Sequence, residues 1–418
     1  MKKYFLIGIS GISMSAIAVM LKSEGNEVKG YDQKPCAELE NEGIIVELQP
    51  NFESILWADE IVYSSAFSMD FPLLNYALIC RKKLTVRGEK LGEIASHYEK
   101  VVAVAGSHGK STTTAMIYNI LKVAGKKPTL HLGAKLQENG KNFDIAGQEY
   151  FVTEACEYHD NFLFLQPYFS VVTNIEPEHL DYFKTFKNEK KSYKKFLDSS
   201  QQTLISHQYK SKNVHLDKHG NVVFDVRSGD QKWGRVHLKI GGVYNVENAL
   251  FAIRACEMLG INKCLIKLGL ESFCGLEKRF ERVKSQSGCK TFVDYAHHPK
   301  EISKAFNSIK KLGGKNVVLF QPHTYSRTVA FMDDFVKQLS KFDEIILFKT
   351  YAAREKEQTQ VEIELVQKLS KTGKKVMLFY DLNALISRLQ GIKDGNLVIL
   401  GAGDLPEMLK ERNFIWKD

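Results

Sequence analysis

The sequence predicts an α/β protein of three domains, each with a sheet and helices packed on it. The first observation behind this prediction is that apolar strand-like segments alternate with amphipathic helical segments along all 418 residues. The second is that this length exceeds what one hydrophobic core usually supports. The third is that polar or glycine-rich turns repeatedly follow a strand, as they do at the ligand sites of open parallel sheets. We expect domains over residues 1–97, 98–276 and 277–418, the first and third Rossmann-like and the second with a mixed sheet.

The composition excludes several classes of protein. Apolar residues make up 44% of the chain, and no run approaches the roughly 18 apolar residues of a membrane span. The seven cysteines show no paired C-x-x-C spacing, so we expect free thiols of a reducing compartment. The formal charge is +9, but lysine and arginine are spread along the chain, which argues against a nucleic-acid-binding arm. The first residues are not typical of a cleavable leader, and we expect a cytoplasmic protein.

The first series of elements predicts a parallel sheet with a ligand turn. The strand-like segments are Tyr4–Ile7, Glu27–Tyr31, Glu60–Tyr63 and Leu84–Val86, and a helix is expected near Met14–Leu21. The turn Gly8-Ile9-Ser10-Gly11-Ile12-Ser13 follows the first strand, and Asp32 ends the second. Only one glycine of the G-x-G-x-x-G fingerprint is present, because Ser10 and Ser13 fill the other two positions. The turn therefore predicts a Rossmann-like site for a nucleotide diphosphate, or a plain turn without a ligand.

The second series begins with the most informative segment of the chain. The turn Gly106-Ser107-His108-Gly109-Lys110-Ser111-Thr112 follows the apolar strand Val101–Ala105 and precedes an amphipathic helix that ends before Gly125. Such a turn aims several backbone N–H groups at one point on a helix N-terminus, where an anion is favoured. Lys110 adds a positive charge, and the Ser111 hydroxyl is suited to Mg²⁺. Although Val104 stands where a standard P-loop has its first glycine, the segment predicts a shortened P-loop for a nucleoside triphosphate.

Further polar side chains follow two later strands of this series. Glu154 follows the strand Tyr150–Thr153, and a second polar turn follows the strand Ser170–Thr173. That turn contains Asn174, Glu178, His179 and Asp181. Carboxylate and imidazole groups at the carboxyl ends of strands predict a metal–phosphate centre with Glu154 as a Mg²⁺ ligand, and a capping loop is the alternative for the second turn. Strands at Val222–Val226 and Arg235–Ile240 and a helix over Asn245–Met258 complete the series.

The third series predicts another doubly wound sheet with two polar strand ends. Its strands are expected at Thr291–Val293, Asn316–Phe320, Glu344–Leu347, Lys375–Phe379 and Asn396–Leu400. The segment from Asp294 to Pro299 follows the first of these strands, and the segment from Gln321 to Arg327 follows the second. We expect the two strand ends to lie side by side and to form a pocket in which His323 and Arg327 recognise a carboxylate. A satisfied surface role is expected for His298.

The ordered segments resemble the Mur ligases of peptidoglycan synthesis over essentially the whole chain. The segments that carry the resemblance are Gly8–Ala16, Val62–Ala66, Gly106–Thr114, Glu154–Pro167, Thr173–Asp181, Gly242–Ala249, Phe273–Phe280, Asp294–Pro299, Phe320–Thr328, Tyr351–Glu355 and Gly401–Asp404. The resemblance implies a UDP-sugar in the first domain, ATP in the second and an amino acid in the third. It further implies that L-alanine is joined to the lactyl carboxylate of UDP-N-acetylmuramate through an acyl phosphate, with release of ADP and phosphate.

The resemblance also implies roles for individual residues. For catalysis these are Lys110, Glu154, His179 and His297, and for Mg²⁺, with Mn²⁺ as a substitute, they are Ser111, Glu154 and His179. For ATP they are Gly106, Ser107, His108, Gly109, Lys110, Ser111, Thr112, Asn245, Asn248, Arg279 and Asp294. For the UDP-sugar they are Ser10, Gly11, Ser13, Asp32, Ser64 and Ser65, with Arg87 as a further candidate. For alanine they are Tyr295, His297, His323 and Arg327.

Three other functions remain open at this point. One is a ligase that joins a whole murein tripeptide to the same UDP-sugar. Another is a redox protein built on the Gly8 turn, which would leave Lys110, Glu154 and His179 without a role. The third is a catalytically silent nucleotide sensor. For the ligase we expect small-molecule substrates only, no nucleic acid or membrane partner, and a monomer or weak homodimer.

Overall fold

The computed structural model describes residues 1–353 and 355–417, without the side chains of Leu180 and Asp181. The described chain forms two compact units. The first consists of Met1–Gln208 and Asn248–Ser272, and the second of Tyr209–Glu247 and the residues from Phe273 onward. Among the described residues, no helix combines the length and the apolar character that crossing a membrane requires. All seven cysteines are free thiols, as the sequence predicted.

The first unit opens with a five-stranded parallel sheet. Its strands are β1 (Lys3–Ile7), β2 (Glu27–Tyr31), β3 (Ile45–Glu47), β4 (Glu60–Tyr63) and β5 (Lys83–Val86). Its helices are α1 (Ile12–Ser23), α2 (Ala37–Asn41), α3 (Phe52–Trp57), α4 (Pro72–Ile79) and α5 (Arg87–Ala95). The strand order is β3-β2-β1-β4-β5, so the chain reverses its direction of winding between β1 and β4. Ligands of open parallel sheets bind at such a switch point, beyond the carboxyl ends of the strands.

A six-stranded sheet follows in the same unit. Its strands are β6 (Lys100–Ala105), β7 (Thr129–His131), β8 (Phe143–Asp144), β9 (Tyr150–Glu154), β10 (Phe169–Val172) and β11 (Gln202–Leu204). Its helices are α6 (Lys110–Val123), α7 (Leu180–Phe183), α8 (Phe186–Asp198), most of α9 (Asn245–Met258) and α10 (Lys263–Ser272), with a 3-10 segment over Tyr158–Phe164. The order is β11-β10-β6-β9-β7-β8, and β8 alone is antiparallel. The switch point lies between β6 and β10.

The two sheets of the first unit share one hydrophobic core. Tyr4 and Leu6 on β1 belong to the same buried cluster as Phe151 on β9 and Phe196 on α8. The main force that holds such layers together is the burial of apolar surface, which contributes a stabilising free energy of roughly 25 cal/mol per Å² buried. The carboxyl ends of both sheets are therefore held in one compact body.

The second unit contains two sheets. The three-stranded antiparallel sheet consists of β12 (Lys210–Leu216), β13 (Val222–Ser228) and β14 (Gln231–His237). The seven-stranded sheet consists of β15 (Glu281–Ser285), β16 (Lys290–Asp294), β17 (Asn316–Phe320), β18 (Glu344–Phe348), β19 (Lys375–Phe379), β20 (Asn396–Leu400) and β21 (Ile415–Lys417). The helices are α11 (Pro299–Ile309), α12 (Tyr325–Ala330), α13 (Met332–Leu339), α14 (Thr359–Ser370), α15 (Leu382–Gln390) and α16 (Leu405–Glu411). The order of the larger sheet is β19-β18-β17-β20-β16-β15-β21.

The structure corrects two sequence predictions. The strand expected at Arg235–Ile240 begins earlier, because the turn at Gly229 pairs Ser228 with Gln231. The strands that end at Asp294 and Phe320 are not neighbours, because β20 lies between them and pairs with both. The helix predicted over Asn245–Met258 has those bounds in the structure.

Candidate functional site

The loop between β6 and α6 has the backbone of a phosphate-binding loop. Gly106 and Gly109 have φ angles of 131° and 86°, which side-chain-bearing residues rarely adopt. A Cβ atom at Gly106 would overlap Thr173 Oγ1, and one at Gly109 would overlap Asn248 Oδ1. Only glycine fits at both positions, and the amide of Asn248 lies directly beside the loop.

The segment after β10 holds this loop in shape. Asn174 Oδ1 accepts a hydrogen bond from His108 N (2.9 Å), and Thr173 Oγ1 donates to His108 O (2.7 Å). Ser107 Oγ accepts from Glu176 N at 2.8 Å. Because these two segments flank the switch point between β6 and β10, they meet at the edge where a ligand binds.

Lys110 begins α6 and is held at the mouth of the loop. Its Nζ donates to Gly106 O (2.5 Å) and to Glu157 Oε1 (3.0 Å). Burial by itself lowers the pKa of Lys110, but the groups around it, first the nearly inaccessible Glu157 carboxylate and then Cys156 and Glu178, together raise this pKa well above its ordinary value. Lys110 is therefore a permanent positive charge beside the loop.

Glu157, Glu178 and His179 form the polar cluster next to Lys110. One potential ligand atom from each lies within 4.8 Å of the others, and His179 has a left-handed backbone with φ 52°. Glu157 Oε2 is buried and has no hydrogen-bond partner among the described residues. Two carboxylates and an imidazole with an unsatisfied buried oxygen fit a divalent cation.

A second layer of polar groups lies behind this cluster on α8. Glu189 Oε2 accepts from Glu178 N at 3.3 Å. Glu189 Oε1 and Tyr193 Oη are buried without a hydrogen-bond partner among the described residues. Burial raises the pKa of both groups, and the charge of Glu157 raises them further. These surroundings are electronegative, which favours a cation in front of them.

The structure places Glu154 apart from this cluster. Its Oε1 accepts from Gly133 N at 2.6 Å, and the cluster contains Glu157 instead. Sequence reasoning missed Glu157, although it lies only three residues further along the same polar segment. Ser111, which the sequence predicted as a further ligand, is buried in the first turn of α6. The side chain of Asp181 lies outside the described residues.

The turn after β1 brings the residues predicted for a UDP-sugar to one edge. Gly8 has φ 85°, and a Cβ there would crowd Ser64 Cβ at 3.2 Å. Ser10 N donates to Asp32 Oδ2 (3.1 Å), which fixes the carboxylate beside the turn. Gly11 is the N-cap of α1 and Ser13 lies in its first turn, while Ser64 and Ser65 follow β4. The set therefore surrounds the switch point between β1 and β4.

In the second unit, Asp294 lies at the end of β16 in a polar pocket. Its Oδ2 accepts from Tyr244 Oη (2.9 Å), and its Oδ1 accepts from Ala296 N (2.9 Å). Burial raises the pKa of Asp294 to about 6, although the positive charge of Arg279 lowers it. Arg279 also lies over the Tyr295 ring, 5.3 Å from its centroid. Asn245 donates through Nδ2 to Gly241 O at 2.7 Å.

The raised pKa of Asp294 predicts a pH-dependent stability. The pKa of an unfolded aspartic acid is about 3.9, whereas that of folded Asp294 is about 6. Between these two pH values the folded carboxyl keeps a proton that the unfolded carboxyl has released. Stability is therefore lost as the pH rises through this window. We expect the free energy of unfolding of Asp294→Asn, relative to that of the native chain, to rise by roughly 2 kcal/mol from pH 4 to pH 7. Denaturant unfolding at both pH values measures it, and a constant difference would contradict the buried carboxyl.

His297, His323 and Arg327 meet although their strands are not adjacent. The two imidazole rings lie 5.7 Å apart, and Arg327 donates to His323 Nδ1 at 3.1 Å. The loops cross over the end of β20 because Gly401 and Gly403 follow it, where a Cβ would overlap Gln321. The two predicted loops therefore meet, and the small residues that follow the intervening strand β20 leave room for them.

Two further side chains lie beside His323 and Arg327, and His298 caps a helix. Tyr351 stacks on His323 with ring centroids 5.5 Å apart, and Glu355 accepts from Ser326 N at 3.1 Å. Burial lowers the pKa of His323 to about 4, and it lowers the pKa of His297 as well. Both imidazoles are neutral at pH 7. His298 is the N-cap of α11 and accepts from Lys300 N, a structural role.

A buttressed phosphate loop with a neighbouring cation-binding cluster defines an enzyme that uses a nucleoside triphosphate and a divalent metal. Three family models match the chain in order. They are described as Mur ligase family, catalytic domain (residues 3–99), Mur ligase middle domain (104–207) and Mur ligase, glutamate ligase domain (278–403). The chain belongs to the Mur ligase family, ATP-dependent enzymes that form amide bonds.

Curated relatives match over nearly the full length. A protein of Caldicellulosiruptor saccharolyticus is 36% identical, with 98% of each chain covered. One of Acetivibrio thermocellus is 34% identical, with 97% of this chain and 94% of the relative covered. Both are named UDP-N-acetylmuramate--L-alanine ligase.

Solved structures share the fold. The UDP-N-acetylmuramate-alanine ligase of Thermotoga maritima superposes with a TM-score of 0.86 at 24% identity, covering 99% of both chains. A murein peptide ligase of Psychrobacter arcticus superposes with a TM-score of 0.68 at 21% identity, covering 98% of both. The three-domain Mur ligase architecture predicted from the sequence is thereby confirmed.

Proposed function

We propose that this protein joins L-alanine to the lactyl carboxylate of UDP-N-acetylmuramate in an ATP-dependent reaction of peptidoglycan precursor synthesis. The observation that carries this proposal is its similarity, over nearly the whole chain, to relatives named for that reaction. We assign residues 1–97 to the UDP-sugar, 98–276 to ATP and 277–418 to alanine. The phosphate loop and the two other strand-end sites supply the chemistry that these substrates require.

The first step is transfer of a phosphoryl group. An oxygen of the lactyl carboxylate attacks the γ-phosphorus of ATP, the bond to the β-phosphate oxygen breaks, and ADP leaves. Lys110 holds its charge beside the loop and stabilises the negative charge of the transferring group. Glu157, Glu178 and His179, with Ser111 as a further ligand, would hold a divalent metal, Mg²⁺ or alternatively Mn²⁺, which would neutralise phosphate charge there.

The second step forms the amide bond. The amine of alanine attacks the acyl phosphate carbon, a tetrahedral intermediate forms, and phosphate leaves with the pair of electrons from the broken C–O bond. The amine must lose a proton before or during attack. His297 donates through Nδ1 to Tyr295 O at 2.9 Å, which leaves Nε2 as an acceptor. Because its pKa is lowered, His297 is neutral and can accept that proton.

Recognition of alanine depends on His323 and Arg327 in this proposal. Arg327→Ala and His323→Ala should each raise the KM for alanine about tenfold or more, because a charge-assisted hydrogen bond to its carboxylate is lost. The KM for ATP should change little. His298→Asn is a matched control, since asparagine also caps a helix and this side chain serves α11. If neither Arg327→Ala nor His323→Ala changes the KM for alanine, these two residues do not form the alanine site.

The deciding experiment measures phosphate release from Mg·ATP by the purified protein with UDP-N-acetylmuramate. The acceptors compared are L-alanine, the tripeptide L-Ala-γ-D-Glu-meso-diaminopimelate and none. Release that requires both the UDP-sugar and alanine supports the proposal. Release with the tripeptide alone would replace it by a recycling ligase, and no release with either acceptor would leave a nucleotide sensor as the better hypothesis.

A further inference from the structure

A chain of hydrogen bonds joins the UDP-sugar turn to the sheet of the phosphate loop. Arg87 Nη1 lies 3.1 Å from Ser13 Oγ, and Ser13 Oγ lies 2.8 Å from His131 Nε2. His131 Nδ1 lies 2.9 Å from Thr153 Oγ1, and Thr153 Oγ1 lies 3.0 Å from Glu154 O. Arg87 and Ser13 belong to the first sheet layer, and His131 and Thr153 lie on the paired strands β7 and β9 of the second.

The donors along this chain follow from counting protons. The carbonyl of Glu154 can only accept, so the single hydroxyl proton of Thr153 points toward it. Thr153 Oγ1 therefore accepts from His131 Nδ1, and in a neutral imidazole Nε2 is then an acceptor. Ser13 donates to that nitrogen, which leaves its oxygen lone pairs for the guanidinium of Arg87. Every hydrogen bond in this chain is therefore donated in the same direction, from Arg87 toward the carbonyl of Glu154.

The His131 ring is held in the neutral state that these hydrogen bonds require. Its side chain is buried, with 3% of its surface exposed. Burial first and the charge of Arg87 second lower the pKa of His131 to about 3, so the ring is neutral at pH 7. Strand β7 pairs in register with β9, which fixes the ring between its two partners.

The start of α1 is tied to the second sheet at one more point. The Asn142 side chain donates to Ile12 O, and Leu132 N donates to Asn142 O at 2.8 Å. Arg87 begins α5, and the next residue, Gly88, packs against Asn161 of the 3-10 segment that follows Glu157, since a Cβ at Gly88 would overlap Asn161 Oδ1. The guanidinium of Arg87 has more N–H donors than its hydrogen bond to Ser13 uses.

We propose that His131 is a positioning residue that orients Ser13, and through it Arg87, to bind an anionic group of the UDP-sugar. This inference rests on the proposed function, because it takes the UDP-sugar as the ligand of the first sheet. A valine at this position would fill the space but leave Ser13 without its acceptor. The group that Arg87 binds is the lactyl carboxylate or the diphosphate, and the ligands of the test separate these two.

The test uses two substitutions, each of which retains a hydrogen-bonding group near the position of one imidazole nitrogen. His131→Asn places an amide near the position of Nδ1 and loses the acceptor for Ser13, whereas His131→Gln places an oxygen near the position of Nε2 and retains it. We expect His131→Asn to raise the KM for UDP-N-acetylmuramate about tenfold with the KM for ATP unchanged, and His131→Gln to stay within about threefold of the native chain. Ser13→Ala should match His131→Asn, and the double variant should be no worse than either.

Binding is measured in parallel by thermal shift with UDP-N-acetylmuramate, UDP-N-acetylglucosamine and UDP. A defect confined to the first ligand identifies the lactyl carboxylate, and a defect with all three identifies the diphosphate. Equal defects in His131→Asn and His131→Gln, an equal loss of ATP affinity, or additive effects of His131→Asn and Ser13→Ala would overturn the inference alone. A native chain that neither binds nor uses UDP-N-acetylmuramate would instead overturn the proposed function and the inference with it.

Discussion

Lys110→Ala should lower kcat for phosphate release roughly a thousandfold or more, the largest effect expected of any single change. The reason is that Lys110 Nζ, held by Gly106 O and Glu157, is the fixed positive charge at the loop that we propose as the site of the γ-phosphoryl group. Charges that are already in place for a phosphoryl transition state contribute effects of this size. Steady-state kinetics at saturating ATP, UDP-sugar and alanine measure it.

The control separates charge from folding. Lys122, an exposed lysine at the other end of α6, is the matched position, and Lys122→Ala should retain native kcat. Lys110→Ala also leaves Glu157 as a buried carboxylate without its counter-ion, which should lower stability. The double change Lys110→Ala with Glu157→Gln should recover part of that stability but none of the activity. A Lys110→Ala protein that folds and keeps more than a tenth of native kcat would contradict the assigned role.

Glu157→Gln should give the second largest effect, a loss of roughly a hundredfold in kcat at ordinary Mg²⁺ concentration. Its carboxylate contributes to the cluster with Glu178 and His179 and is the partner of Lys110. Glutamine has a similar shape but no charge, so both the cation and Lys110 lose a buried negative partner. We also expect the Mg²⁺ concentration for half-maximal rate to rise at least about tenfold. A metal titration of the initial rate measures both quantities.

Glu154→Gln is the matched variant for this experiment. The carboxylate of Glu154 accepts from Gly133 N instead of joining the cluster. The metal titration should therefore shift less in Glu154→Gln than in Glu157→Gln. The reverse order would restore Glu154 as the principal metal ligand, as the sequence predicted, and would assign Glu157 to holding Lys110 only.

Sequence patterns were sufficient for the local features of this protein. The period of apolar residues located β2, β17 and α9 with the bounds that the structure has. Gly106 and Gly109 were recognisable because a loop that turns with positive φ between a strand and a helix requires glycine. The family was recognisable because many such local motifs occur in one order. All of these features depend on residues close to each other along the chain.

Strand order, in contrast, could not be derived from the sequence. Nothing local places β20 between β16 and β17, so the loops carrying His297 and His323 were wrongly expected on adjacent strands. Their contact depends on Gly401 and Gly403, whose importance appears only once the strands are assembled.

The sequence by itself determined the fold class, the three-domain organisation, the phosphate loop and the family. Only the tertiary structure decided which polar side chains meet. Glu157 is hydrogen-bonded to Lys110, which is 47 positions away in the sequence, and His131 to Ser13, which is 118 positions away. The physical reason is that periodicity and turn chemistry act over a few residues, whereas a hydrogen-bond partner is chosen by the packing of strands that are distant in sequence.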